Sequence, residues 1–287
     1  MTARTSGTGA AIGTNDTAGG RRIGAAFAAA RAQRRTALVP YVVAGYPDFN
    51  TSLQAALACV DMGADVLEVG LPYSDPLADG ATLQRASSAA LKAGATFDSS
   101  IELVRQIAEL RPDVPLVPMC YANQVLGGGD GREAAKRLAD AGAAGIIVAD
   151  LTPDEGAPFE AVAHDVGLAV VYLVAPTTPP DRRAAIASRS GGFLYCVSLV
   201  GVTGARTSLP AGVARLVRDV RAASPVPVGV GFGVSTPAHV RALVKAGADG
   251  VIVASALVDA LGPEGRDIAA LSHLVRELRE AGATLRA

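Results

Sequence analysis

Glu68 is the residue whose surroundings most need a chemical explanation. It stands in a short apolar run, Asp65-Val-Leu-Glu-Val69. Period-two alternation there puts Val66, Glu68 and Gly70 on one face and Leu67 with Val69 on the other. Leu67 and Val69 suit a face covered by helices, which turns Glu68 inward. A carboxylate in an apolar shell is unfavourable unless it is paired or protonated. Partial desolvation also raises its pKa towards the range useful for proton transfer. The competing reading is an ion pair with a Lys or Arg inside the same shell. None of the apolar runs of the chain contains either residue, so proton transfer is the better assignment.

Directly after this run comes the longest irregular connection, Gly70 to Gly94, crowded with Pro, Ser, Asp and Gly and ending in a short helical piece. A loop of that length in a compact domain is usually functional. It carries Asp75 and Asp79. One of them suits a helix cap, the ordinary role of Asp among Pro and Gly, and the other a position over the mouth of the site. Spacing does not choose between them. A second group of residues suits an anion. Ser198 is followed by Leu199-Val-Gly-Val-Thr-Gly-Ala-Arg-Thr-Ser208, and further on come Gly231-Phe-Gly-Val-Ser235 and Ala254-Ser255. Glycines and hydroxyls that end neighbouring strands present backbone N–H groups and a helix N-terminus to a phosphate, with no need of a basic side chain. Isolated glycines would be plain turns; three strand ends of one chemistry favour phosphate.

The elements that must position these groups are marked by a repeated phrase. Asp61-Met-Gly-Ala-Asp, Asp140-Ala-Gly-Ala-Ala and Lys245-Ala-Gly-Ala-Asp each read as a helix ending at a glycine and leading into a β-branched run. Eight such runs occur, at 37–43, 65–69, 115–120, 145–149, 168–174, 193–198, 226–230 and 249–254. Stretches of helical length lie between and after them, near 51–62, 98–110, 131–141, 156–165, 180–188, 211–222, 236–246 and 265–281. Strands alternating with helices make a parallel sheet, and eight units in this length predict a closed (β/α)8 TIM barrel. An open doubly wound sheet would carry a glycine-rich phosphate loop after its first strand. Here that strand runs into Ala44-Gly45-Tyr46-Pro47. An extra N-terminal helix near 21–33 is expected to cover the bottom of the barrel.

Composition agrees. Half of the 287 residues are hydrophobic, 18% are charged and 4% aromatic with no Trp, so the core must be Ala, Val, Leu and Ile, as in helix-covered parallel sheets. With 26 basic and 27 acidic residues well mixed, no stripe suggests nucleic acid. Cys59, Cys120 and Cys196 read as buried hydrophobes in a reducing compartment, and His164, His239 and His273 lack metal-ligand spacing, so no metal is expected. Residues 1–20 read as a disordered tail without a signal-peptide core, ahead of one catalytic domain at 21–287. No apolar stretch is long enough for a membrane, and a cytoplasmic protein is expected.

Leu67-Glu-Val-Gly-Leu-Pro-Tyr-Ser-Asp-Pro-Leu-Ala-Asp-Gly80 with Gln84 resembles the signature of the tryptophan synthase alpha subunit family. So do Val39-Pro-Tyr41, Cys120-Tyr-Ala-Asn123, Gly201-Val-Thr-Gly204 and Gly231-Phe-Gly-Val-Ser235. The resemblance covers about residues 20 to 282. It implies a lyase that cleaves indole-3-glycerol phosphate to indole and glyceraldehyde 3-phosphate. Glu68 would be the acid–base and Asp79 the group that holds the indole N–H. It further implies that Tyr41, Tyr121 and Tyr195 line the site, that Thr203 belongs to a loop closing over the aspartate, and that Gly204, Phe232, Gly233, Ala254 and Ser255 surround the phosphate. No cofactor is implied for this chain; pyridoxal phosphate belongs to the expected beta subunit of an alpha2beta2 complex. A free-standing indole-3-glycerol phosphate lyase and a non-catalytic phosphate-binding barrel that activates a partner are the alternatives. The sequence departs from the family pattern at Ala81, where Pro is common, at Ala254, where Gly is usual, and at Leu199, where Arg is frequent. These departures touch loop dynamics and partner communication, not the groups the reaction needs.

Overall fold

The computed structural model describes residues 17–198, 212–231 and 233–283. Its strands are β1 (Ala37–Val43), β2 (Leu67–Gly70), β3 (Leu116–Cys120), β4 (Gly145–Val148), β5 (Ala169–Val170), β6 (Leu173–Val174), β7 (Leu194–Val197), β8 (Val228–Gly231) and β9 (Gly250–Val253). All pairings are parallel, in the order β5-β4-β3-β2-β1-β9-β8-β7-β6. Each of the eight expected runs is a strand, and the fifth is divided into β5 and β6. Its first half pairs with β4 (Gly145 opposite Ala169) and its second half with β7 (Leu173 opposite Tyr195). Between the halves, Val171 N–H donates to the Ile146 carbonyl at 2.9 Å and Tyr195 N–H to the Tyr172 carbonyl at 3.0 Å. One segment thus joins both ends of the sheet and closes the (β/α)8 barrel.

The helices are α1 (Ala18–Ala32), α2 (Phe49–Asp61), α3 (Ala81–Lys92), α4 (Phe97–Leu110), α5 (Ala122–Leu126), α6 (Arg132–Asp140), α7 (Pro153–Asp165), α8 (Pro180–Arg189), α9 (Val213–Ala223), α10 (Pro237–Ala246), α11 (Ser255–Ala260) and α12 (Ile268–Ala281). The helical piece expected at the end of the 70–94 connection is a full helix, α3, so the irregular part is only 71–80. The glycines of the repeated phrase, Gly63, Gly142 and Gly247, have φ of +99°, +94° and +91°, the left-handed conformation that ends each helix and turns it into the next strand.

Alternation along the strands divides the apolar residues into two cores. Leu67, Val69, Leu116, Ile146 and Val251 face outward and pack under the helices. Val39, Tyr41, Val66, Val117, Met119, Ile147, Tyr195 and Ile252 fill the interior. The helix α1 lies across the bottom, where Ile23 and Phe27 enter the inner core and the Phe27 ring stacks on Phe193 at 5.4 Å. A Cβ added to Gly250 would sit 2.6 Å from the Phe27 ring, so that strand start must be glycine for the plug to seat.

The first helix begins earlier than expected, inside the stretch 1–20 expected to be a disordered tail. Residues 18–20 are the first turn of α1, with the Thr17 hydroxyl accepting Gly20 N–H at 2.9 Å. Gly19 N–H donates to the Gly167 carbonyl, and a Cβ on Gly19 would lie 1.7 Å from the Ala144 carbonyl. Glycines that look like coil in the sequence are there because helix and barrel backbones touch. Residues 1–16 lie outside the described residues. No helix among the described residues is long and apolar enough to cross a membrane.

Candidate active site

Glu68 sits two residues before the end of β2, opposite Tyr41 of β1 and Val117 of β3. Its neighbours on the strand, Leu67 and Val69, are in the outer core, so alternation forces its side chain inside. The residue is 1% exposed, and its Oε2 has no hydrogen-bond partner among the described residues. Burial, with a smaller contribution from the nearby Asp79 carboxylate, pushes its pKa up to about 8. The Tyr41 and Tyr195 hydroxyls, buried near the same acids, are held well above the usual phenol range. Two glycines make room for those rings. A Cβ on Gly70 would lie 1.7 Å from the Tyr41 hydroxyl oxygen, and one on Gly231 would lie 2.4 Å from that of Tyr195.

Asp79 reaches the same space from the loop between β2 and α3. The loop is pinned to the start of α5 by a set of polar contacts. Tyr121 Oη accepts Ala78 N–H at 3.1 Å, Gln124 Nε2 donates to the Pro72 carbonyl at 3.0 Å, and Asn123 Nδ2 donates to Tyr73 Oη at 3.3 Å. The Tyr73 and Tyr121 rings stack at 5.0 Å. So anchored, Asp79 is 8% exposed. Burial raises its pKa to about 6, and a hydrogen bond from the Tyr121 hydroxyl limits the rise. Asp75, the other candidate, is exposed and does not line the cavity that holds Glu68 and Asp79. The structure therefore decides what spacing left open.

Tyr41, Glu68, Asp79, Tyr195, Gly233, Ala254 and Ser255 line one cavity of about 350 Å³, the volume of a small-molecule site. Tyr121 stands behind Asp79 as its hydrogen-bond donor. Thr203, Gly204 and Phe232, with Leu199, lie outside the described residues. Ala81, in place of the family's Pro, is the first residue of α3 and leaves that helix start intact behind Gly80. Ala254, in place of the usual Gly, is the N-cap of α11 and lines the cavity. Ser235, expected among the phosphate-facing hydroxyls, lines it too, and so do Met119, Leu83 and Ile252, which the sequence did not single out. Met119 and Ile252 are inward strand positions that alternation would have found. Gln124 and Tyr73 were missed as well; their task, holding the loop that carries Asp79, has no local signal.

A cavity with two buried carboxyls of unequal acidity facing glycine and serine strand ends is found in a chain with close relatives. The tryptophan synthase alpha chain family model matches residues 27–284. The chain is 45% identical over 269 residues to the tryptophan synthase alpha chain of Gloeobacter violaceus, covering 92% of this chain and 96% of that one. It is 45% identical over 260 residues to that of a Roseiflexus species, covering 90% and 99%. A solved Mycobacterium tuberculosis tryptophan synthase structure superposes with a TM-score of 0.83 at 41% identity, covering 92% of this chain and 98% of that chain. A mutant tryptophan synthase alpha-subunit from Pyrococcus furiosus gives 0.79 at 36% identity, covering 85% and 98%. By family model, sequence identity and fold alike, this chain belongs to the tryptophan synthase alpha chain family.

Proposed function

We propose that Glu68 and Asp79 carry the cleavage of indole-3-glycerol phosphate to indole and glyceraldehyde 3-phosphate, the alpha reaction of tryptophan biosynthesis. The observation that carries this reading is two buried carboxyls lining one cavity in unequal surroundings, Glu68 with an unpartnered Oε2 and Asp79 beside the Tyr121 hydroxyl. Glu68, raised to about 8, holds its proton at neutral pH, while Asp79, near 6, is ionised. Environments that push two acids apart assign their roles. Glu68 donates a proton to indole C3. Asp79 accepts the indole N–H and stabilises the positive charge that appears on the nitrogen. The Glu68 carboxylate so formed takes the proton of the glycerol hydroxyl as the C–C bond breaks. The bonding electrons return to the ring, indole leaves neutral, and Glu68 ends protonated as it began. Neither a metal nor a nucleophile enters this proton balance.

The phosphate end belongs at the ends of β8 and β9. Gly233, Ser235 and the Ala254–Ser255 start of α11 line the cavity there. Free N–H groups at a helix start favour an anion. The extra methyl of Ala254 leaves its backbone N–H as a donor. Pyridoxal phosphate is assigned to a beta subunit, with which this chain assembles as alpha2beta2.

The test is steady-state indole production from indole-3-glycerol phosphate across pH, with and without a beta subunit. The rate should rise as Asp79 ionises through about 6 and fall as Glu68 loses its proton through about 8. Stimulation by the beta subunit supports the assembly; full turnover without it supports a free-standing lyase. No indole under either condition would overturn the reading.

A further inference from the structure

Behind the cavity wall made by Gly233 and Ser235 lies a buried histidine that the reaction does not use. His239, in the first turn of α10, is 2% exposed, and the other buried residues of that helix are Val240, Leu243 and Ala246. Its Nε2 is buried with no hydrogen-bond partner among the described residues. An unsatisfied ring nitrogen in an apolar setting is unfavourable, and an aliphatic side chain would avoid it. The other ring nitrogen shows what offsets this. Nδ1 accepts Ser235 N–H at 3.3 Å, and Ser235 Oγ lies 3.4 Å from the same atom. Because a backbone N–H can only donate, Nδ1 must be unprotonated and the neutral ring must carry its hydrogen on Nε2.

A helix cap is the ordinary reason for such a bond, but α10 already has one. The Thr236 hydroxyl accepts His239 N–H at 3.2 Å, and Pro237 opens the helix. The helices α2 and α4 are capped by Asp48 and Thr96 without any imidazole. The histidine's acceptor goes instead to Ser235, two residues beyond Gly233, which has φ of +77° and shares the cavity wall.

We propose that His239 is a positioning residue that fixes the Gly233–Ser235 wall from behind and so sets the affinity for the phosphate end of the substrate. The inference rests on the phosphate reading given above. It is tested in the full-length chain with two variants. His239→Leu removes the acceptor; His239→Asn keeps an oxygen near the place of Nδ1. For His239→Leu, KM for indole-3-glycerol phosphate and the inhibition constant of inorganic phosphate should both rise about tenfold, the effect of one hydrogen bond, with kcat within about twofold. His239→Asn should recover most of that loss. A His239→Leu variant that melts earlier but binds phosphate as well as wild type would overturn the proposal and leave only a cap. Equal behaviour of the two variants would overturn it too. If the His239→Leu variant does not fold, ¹⁵N NMR of the wild-type histidines decides. One of the three should show an unprotonated Nδ1 whose signal moves on saturation with inorganic phosphate, and three unmoved signals would overturn the assignment. Wild-type enzyme that inorganic phosphate fails to inhibit competitively would instead remove the phosphate reading itself, a failure visible before any variant is made.

Discussion

Two glutamates are buried among the described residues, and they are treated in opposite ways. Glu160 of α7 is enclosed by partners. The Arg189 Nε and the Tyr172 hydroxyl both donate to its Oε2 at 3.0 Å, and the guanidinium also lies over the Tyr172 ring. Glu68 is more deeply buried, and its Oε2 has no such partner among the described residues. A carboxylate held by a guanidinium and a phenol is a structural link, and here it ties α7 to α8. One left without compensation keeps its proton at neutral pH and is ready to part with it. Burial alone does not mark a functional acid. Burial with an unpartnered Oε2, at the end of a barrel strand, marks the acid proposed for catalysis.

Substitution at the two sites should separate the two kinds of acid. Glu68→Gln should lower indole formation by about 10²- to 10⁴-fold, the range for loss of a general acid–base. Its stability should move the other way. Because the folded pKa of Glu68 is raised to about 8, the stability its protonated form provides is complete below the unfolded value near 4.5 and is lost as pH rises through 8. The Glu68→Gln variant has no proton to lose, so at about pH 9 it should melt above wild type, and near pH 5 the gap should close. Arg189→Ala should do the reverse. Leaving Glu160 buried without its cation should remove about 3 kcal/mol of stability, the low end for a broken buried pair because Arg189 is 30% exposed, with kcat unchanged where the protein is folded. An Arg189→Ala variant that loses activity at full stability would break the contrast. So would a Glu68→Gln variant that turns over normally.

Asp79→Asn comes next in size. The amide still faces the indole N–H but cannot balance the charge on the protonated ring, so turnover should fall about a hundredfold. The acid limb of the pH profile near 6 should vanish with the titrating group. Retention of that limb in the Asp79→Asn variant would assign it to another residue.

These contrasts also show which features were legible in the sequence. Glu68 was readable because a strand imposes period two and the polar residue interrupts an apolar face within a short run. The barrel was readable for the same reason, repeated strand after strand. The division of the fifth strand was not, since it arises where 171–172 pass from pairing with β4 to pairing with β7. Nor was the choice between Asp75 and Asp79 legible from spacing, and only the family resemblance made it. It depends on the loop path, which Tyr121, Gln124 and Tyr73 fix across 43 to 52 positions. The Glu160–Arg189 pair spans 29 residues and two helices, so its neutralisation had no local signature.

The smallest expected effect tests whether that loop anchor is only mechanical. Tyr121→Phe removes the donor that limits the rise in the Asp79 pKa and the acceptor for Ala78 N–H. The Gln124–Pro72 contact still holds the loop. Without the phenol, Asp79 should titrate above about 6, so the acid limb should shift to higher pH. Near pH 6 the variant should be slower by up to about tenfold, the effect of about one unit of pKa, and as pH rises towards about 8 and Asp79 ionises fully the deficit should close. A deficit equal at every pH would mean that Tyr121 acts by holding the loop rather than by tuning the acid. Tyr121 would then belong with Arg189, among the groups that keep the barrel in shape, and not with Glu68.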